Sequence, residues 1–313
     1  MSLLLDSVLV IISIGMLWKG ADWLVEAAAE IAHSFKISDL VIGLTIVAFG
    51  TSAPEFAVTI RAAITGQTDI SIGNVVGSNI FNLGFILGGT AMIRAISITP
   101  KLLYRDGLFL LSVTIIIYLF FFGFNGWDIN DNITAIEGSI LFFALIGYIL
   151  FLFMNKETIE ETHPKSATRQ SYIFFFAGLA MIVLGGHLMV EHASSLARAF
   201  GISDWVIAVT IVAAGTSAPE LATSLTAAFK EKHGMAIGNL IGSDLFNLLG
   251  VLGLAGIINP TSIQSDIHSS IIILIVMVSM VLLMMRSGWK ISRLEGTLLV
   301  SLNLFRWYLD FSG

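Results

Sequence analysis

Apolar stretches of about 20 residues recur along nearly the whole chain, and they limit the fold more than any other feature of the sequence. A helix of that length crosses the roughly 30 Å hydrocarbon core of a bilayer. Only helices and closed β-barrels satisfy their backbone polar groups inside lipid. The runs Ile271 to Met285 and Leu108 to Phe122 do not alternate as barrel strands do. We therefore predict an all-α integral membrane protein.

Composition excludes several other classes of protein. The chain is 56% hydrophobic and only 12% charged, whereas soluble domains carry about 25% charged residues. A net charge of -6 offers no basic surface to nucleic acid, and the lack of cysteine removes disulfides and thiolate metal sites. No nucleophile–base arrangement is evident, so we expect neither an enzyme nor a bound cofactor.

Hydropathy predicts ten transmembrane helices, the first beginning close to the N-terminus without the basic region or cleavage site of a signal peptide. The one long polar stretch, Asn155 to Gln170, is predicted to be a solvated linker. The predicted helices are 4–32, 38–64, 70–95, 104–124, 133–153, 171–198, 203–229, 234–257, 266–285 and 290–310.

Basic residues near the helix ends predict the orientation in the membrane, because cytoplasmic loops collect Lys and Arg. Lys19 falls inside the first helix and is left out. One side then holds Arg61, Arg198 and Arg306. The other side holds Lys36, Arg94, Lys101, Arg105, Lys156, Lys165, Arg169, Lys230, Lys232, Arg286, Lys290 and Arg293. We predict a multi-pass protein of the cell membrane with both termini outside and the linker in the cytoplasm.

The chain contains a long internal repeat. ISDLVIGLTIVAFGTSAPE (37–55) aligns without a gap to ISDWVIAVTIVAAGTSAPE (202–220), and IGNVVGSNIFN (72–82) continues the register to IGNLIGSDLFN (237–247). About 25 of about 46 positions are identical. Each half holds five predicted helices, so the second half enters the membrane from the opposite face. The predicted organisation is a first repeat at 1–153, a linker at 154–170 and a second, inverted repeat at 171–313.

Glu55 and Glu220 lie near the middle of predicted helices 2 and 7. An ionisable side chain at that depth costs about 2.5–3.5 kcal/mol or more unless it has a partner. Lys19 is closer to Asp22 in its own helix, and Arg61 lies nearer the outer end of its helix. Neither carboxylate therefore has a dedicated counter-charge, and we expect both to bind a cation.

The sequence around each glutamate supplies oxygen ligands. Pro54 and Pro219 cannot donate an N–H to the carbonyls of Gly50 and Gly215, so both helices are predicted to break there and turn carbonyls into a cavity. The candidate ligands are the carbonyls of Ala48, Thr51, Ala213 and Thr216, the hydroxyls of Thr51, Ser52, Ser78, Thr216, Ser217 and Ser243, and the amides of Asn82 and Asn247. Such hard oxygens suit calcium and sodium, and suit zinc or copper poorly.

These motifs resemble the paired repeats of the cation/calcium exchanger superfamily: GTSAPE followed by GNVVGSNIFN in one half, and GTSAPE followed by GNLIGSDLFN in the other. The chain looks most like the prokaryotic sodium/calcium exchangers. The resemblance implies ten helices, a calcium site centred on Glu55 and Glu220 with the carbonyls of Thr51 and Thr216, and flanking sodium sites. Those sodium sites would use the serines, the asparagines and the alanine carbonyls named above.

Asp244 departs from this pattern. Some members of the superfamily carry an acid at the last motif position of the second half, where this chain has Asn247. The acid here lies three residues earlier, aligned with Asn79. Because Asp244 is about 100° around the helix from Ser243, it either borders the site or bonds to a neighbouring helix. The sequence leaves both roles open.

The predicted activity is calcium/sodium antiport by alternating access, with predicted helices 1 and 6 sliding as gates. A calcium/proton antiporter and a passive cation channel remain as alternatives. The first would replace sodium by protonation of the glutamates, and the second would carry ions without a counter-ion. The predicted partners are the two ions and the lipid bilayer, and the oligomeric state is open.

Overall fold

The computed structural model describes residues 3–122, 132–155, 166–202, 207, 211, 213–262 and 266–312. Within these ranges the regular secondary structure is helical apart from two short two-stranded sheets. The helices are α1 (Leu3–Phe35), α2 (Asp39–Thr51), α3 (Ala53–Ile64), α4 (68–93), α5 (Leu102–Phe122), α6 (Ala135–Met154), α7 (Arg169–Ala199), α8 (Ala213–Thr216), α9 (Ala218–Phe229), α10 (His233–Ile258), α11 (Asp266–Arg286) and α12 (Arg293–Ser312).

Seven helices of the described residues are long and apolar enough to span a membrane, or eight if α2 and α3 form one bent span. This confirms the prediction of a helical membrane protein. Helix α12 is not in that set, because it carries the charged residues Arg293, Glu295, Arg306 and Asp310. The predicted helix 203–229 and the linker fall partly outside the described residues. The count of ten spans therefore stays a prediction.

The two sheets lie at opposite ends of the bundle. Strand β1 (Ile96–Ser97) pairs with β4 (Lys290–Ile291), and β2 (Asn132–Ile133) pairs with β3 (Thr261–Ser262), both antiparallel. Helix α4, about 40 Å long at 1.5 Å per residue, separates the two ends. In the repeat, β1 corresponds to β3, and β2 corresponds to β4, so equivalent strands lie at opposite ends.

We name these ends by the contacts made there. At the linker end, Arg94 contacts Glu231 at 2.5 Å, and the Ala167 N–H donates to Ser34 Oγ at 2.5 Å. At the far end, Asn259 Nδ2 donates to the Ala63 carbonyl at 3.2 Å. The predicted orientation would put the linker end in the cytoplasm.

Helices α1 and α7 cross in close contact along their length. A Cβ at Gly20 would lie 2.8 Å from the Gly178 carbonyl oxygen, so only glycine permits this approach. The rings of Trp23 and Phe174 stack 5.1 Å apart beside this crossing. The two long helices thus form one packed pair along the rest of the bundle.

Both proline-containing segments break their helices, as the sequence predicts. The axes of α2 and α3 differ by 51° across Ser52, and Pro54 occupies the first turn of α3. In the second half, Ser217 separates α8 from α9 with backbone angles similar to those of Ser52. The Ala48 carbonyl, which we expected to be freed, instead accepts the Ser52 N–H at 3.0 Å, because the break begins only after Ser52.

Each long helix of the motifs also contains a wider π-helical turn. These turns are Asn82–Leu87 in α4 and Phe246–Val251 in α10. Single π turns often occur at functional sites because they rotate the side chains that follow them. Ser78 and Ser243 lie in the α-helical parts before the turns, and Asn82 and Asn247 lie at their starts.

Candidate ion-binding site

The two glutamates lie in the first turns of the half-helices α3 and α9, and each is only 1% exposed. Ser217 Oγ donates to Glu55 Oε1 at 3.3 Å, and Ser52 Oγ donates to Glu220 Oε1 at 3.3 Å. Each carboxylate is therefore held by the serine at the helix break of the other repeat. A helix N-terminus carries partial positive charge, which stabilises a carboxylate there.

The second oxygen of each carboxylate is buried without a hydrogen-bond partner. Among the described residues, no Lys, Arg or His side chain makes an ion pair with Glu55 or Glu220. A buried, unpaired carboxylate oxygen is costly, and a bound cation would remove that cost. The two oxygens therefore have the chemistry of unfilled cation ligands.

Hydroxyl and amide groups connect the helix break of the first repeat to helix α10. Thr51 Oγ1 donates to Asn239 Oδ1 at 3.0 Å and lies 3.4 Å from Ser243 Oγ. Thr51 and Ser243, both predicted ligands, are fully buried. The first repeat thus contributes a broken helix that packs directly on α10 of the second.

Two asparagines that we did not predict take part in this network. Asn239 Nδ2 donates to Ser224 Oγ at 3.0 Å, and the repeat-equivalent Asn74 Nδ2 donates to Thr59 Oγ1 at 2.9 Å. The identical pairing in both halves indicates that these asparagines orient α10 and α4 against the half-helices. Their place in the duplicated IGN motif could have identified them.

The carboxylate of Asp244 is fully buried between the two repeats. Asn82 Nδ2 donates to Asp244 Oδ1 at 3.0 Å, and Asn247 Nδ2 donates to Asn79 Oδ1 at 3.0 Å. Asp244 thus bonds to one of the predicted ligands. Asp244 Oδ2 and the amide oxygens of Asn82 and Asn247 are buried without partners. Sequence reasoning had not included Asn79, although it aligns with Asp244.

The remaining predicted ligands occupy the surrounding backbone. Ser78 lies in α4, where its hydroxyl donates to the Asn74 carbonyl at 2.6 Å, and it is 7% exposed. Ala213 and Thr216 are the first and last residues of α8. Ala48 lies in α2, where its carbonyl keeps the bond from Ser52. These placements leave the roles of the four residues as predictions.

The two repeats differ in how they cover the site. Gly238 and Gly242 of α10 are buried, and a Cβ at Gly238 would lie 2.7 Å from the Leu40 carbonyl oxygen. Their repeat equivalents on α4 are open, since Gly73 is exposed and Gly77 is half-buried. Among the described residues, α10 is thus tightly packed against α2 toward the linker end, whereas the start of α4 is less covered toward the far end.

Comparisons with known proteins match this architecture. The model of the sodium/calcium exchanger protein family matches residues 6–154 and 170–308, which are the two halves of the repeat. The chain is 31% identical to the sodium/calcium exchanger MaX1 of Methanosarcina acetivorans, over 93% of this chain and 94% of the relative. It is also 31% identical to the inner membrane protein YrbG of Escherichia coli, covering 85% and 84% of the two chains.

A solved structure of the sodium-calcium exchanger NCX_Mj, soaked with 10 mM Na+ and no Ca2+, has the same fold. Its TM-score is 0.85 at 31% sequence identity, and the match covers 97% of this chain and 98% of that chain. The expectation drawn from the duplicated motifs is confirmed, and the chain belongs to the sodium/calcium exchanger family.

Proposed function

We propose that this protein is a secondary antiporter that exchanges calcium for sodium by alternating access. The proposal rests on the two buried carboxylates of Glu55 and Glu220. Each accepts a serine hydroxyl from the other repeat and has one oxygen without a hydrogen-bond partner. Both lie at helix breaks, where backbone and hydroxyl oxygens can complete the six to eight oxygen ligands that calcium takes.

Charge balance supports exchange of the two ions at one site. Two ionised glutamates neutralise one calcium ion. With sodium, the same carboxylates are shared among several monovalent ions, so binding one ion displaces the other. In this proposal Thr51, Thr216 and the glutamates bind calcium. The sodium ligands are Ser52, Ser78, Ser217, Ser243, Asn82, Asn247 and the carbonyls of Ala48 and Ala213.

Asp244 belongs to the proposed site. Its bond to Asn82 and its unpartnered Oδ2 support a role beside the sodium ligands rather than in packing alone. Ionised, it would give the site a third negative charge. Three charges could balance three sodium ions, or leave one charge over when calcium is bound.

The proposed topology has ten helices in two inverted repeats, in the cell membrane, with both termini outside and the linker in the cytoplasm. The placement of equivalent strands at opposite ends of the bundle supports the inversion. The exposure of Gly73 on the far side then corresponds to access from outside.

Uptake of isotopic calcium into proteoliposomes under imposed sodium, potassium or proton gradients tests the proposal. We expect uptake to require sodium inside the vesicles. Uptake driven by a proton gradient without sodium would indicate a calcium/proton antiporter. Calcium flux without any counter-ion would indicate a channel, and either result would overturn the proposal.

A further inference from the structure

Side-chain hydrogen bonds join helices α1 and α7 at both ends. At the far end, Asp6 lies 2.9 Å from His192 Nδ1 and accepts the Ser195 hydroxyl at 2.9 Å. At the linker end, Glu30 accepts the Ser171 hydroxyl at 2.5 Å. Because Gly20 also lets the helices touch in the middle, the pair is packed as one unit.

Lys230 connects this pair to α9 at the linker end. Lys230 directly follows α9, the half-helix whose first turn contains Glu220. Its Nζ lies 2.6 Å from Asp22 Oδ1 and also bonds to Glu26 Oε1, both on α1. Partial burial alone would lower the pKa of Lys230, but its bonds to the two carboxylates outweigh that effect and raise the pKa. The ammonium therefore stays charged.

The equivalent position at the far end has no cation. In the gapless register of the repeat, Lys230 corresponds to Thr65, Asp22 to His187 and Glu26 to Glu191. Thr65 donates its hydroxyl within its own helix, to the Arg61 carbonyl at 2.9 Å. The two ends differ in which amino acids occupy these positions, so the difference persists in every conformation of the protein.

We propose that Lys230 is a positioning residue, which holds the α1–α7 pair against α9 at the linker end and so favours the state open toward the far side. This inference rests on the proposed alternating access. Gly238 of α10 is indeed buried on the side where Lys230 bonds to α1, whereas Gly73 of α4 is exposed on the side that has Thr65. Each transport cycle would have to break and reform this link.

A cysteine reporter can measure the state that Lys230 disfavours. The chain has no cysteine of its own. Leu44 is fully buried where α2 packs on Gly238 and Gly242 of α10, the contact that must open for access from the linker end. In Leu44→Cys protein in nanodiscs, without sodium or calcium, the rate of maleimide labelling reports how often this contact opens.

Adding Lys230→Met to the reporter should raise the labelling rate about fivefold, the effect of losing one partly exposed ion pair. Lys19→Met is the matched control, because Lys19 pairs with the same Asp22 but lies on α1 itself, at 2.8 Å. It should leave the rate unchanged. Thr65→Lys, which places an ammonium opposite Glu191, should raise the rate by favouring closure at the far end.

An unchanged rate in folded Lys230→Met protein would overturn the inference, as would an equal increase in Lys19→Met or a decrease in Thr65→Lys. Labelling requires no transport, so the result is independent of which ions are exchanged. If the labelling rates shift as expected while sodium fails to drive calcium uptake, the proposed function fails and the role of Lys230 stands.

Discussion

The strongest test of the site is the removal of one carboxylate charge by Glu55→Gln. Glutamine keeps the shape of the side chain and an oxygen that can still accept the Ser217 hydroxyl, bonded at 3.3 Å in the wild type. The new NH2 group replaces an oxygen that has no partner. The substitution therefore breaks no hydrogen bond, and we expect the protein to fold.

Glu55→Gln should weaken calcium binding far more than it lowers the free energy of unfolding. At a calcium–oxygen distance of about 2.4 Å, a double charge and a single charge attract by about 3.5 kcal/mol even at the dielectric constant of bulk water. The amide oxygen restores part of this energy as an ion–dipole interaction. We expect calcium binding to weaken by about 100-fold or more. Glu220→Gln should behave alike, because Ser52 holds Glu220 in the same geometry.

The assay is sodium-driven uptake of isotopic calcium into proteoliposomes, with the melting temperature measured on the same preparations. Glu137→Gln is the matched control: it removes a half-buried carboxylate from the cap of α6, where glutamine can also serve. Its uptake should equal that of the wild type. Near-normal exchange by folded Glu55→Gln or Glu220→Gln would refute the assignment of the site.

Three further predictions follow from the orientation, from Asp244 and from the packing. A cysteine at Lys165 should not react with an impermeant thiol reagent added outside intact cells, because basic loops mark the cytoplasmic side; reaction would overturn the topology. Asp244→Asn should change the sodium or voltage dependence of calcium flux at clamped potentials, and identical curves would remove Asp244 from the transport site. Gly84→Ala should lower the melting temperature, costing about 1–3 kcal/mol, because its Cβ would lie 1.7 Å from Asn303 Nδ2. Adding Asn303→Ala should recover most of that loss, and an unchanged melting temperature in the single variant would contradict the packing.

The sequence alone determined the class of fold and the elements of the site. Long apolar runs permit only membrane-spanning helices, and a duplicated motif must fold twice into the same local structure. The proline after each copy of the duplicated GTSA segment dictated a helix break, and the break occurs at Ser52 and Ser217. The carboxylates at those breaks followed from the same motif.

The tertiary structure decided which groups meet, because the two motifs are 165 residues apart in sequence. Nothing in their local pattern states that Ser52 bonds to the glutamate of the other repeat. Nor does it state that the Asp244 carboxylate accepts from Asn82 while the Asp244 carbonyl accepts from Asn79. Hydropathy also does not predict the π turn that begins at Asn82, because the turn changes the helical twist and not the composition.

The unequal closure of the two repeats is likewise a property of the assembled protein. Gly73 and Gly238 have the same neighbours in sequence, yet the first is exposed and the second is packed against Leu40. A near-symmetric sequence can fold into two such arrangements, related by exchange of the repeats. Contacts that the two repeats do not share, such as that of Lys230 with Asp22, give the two arrangements different energies.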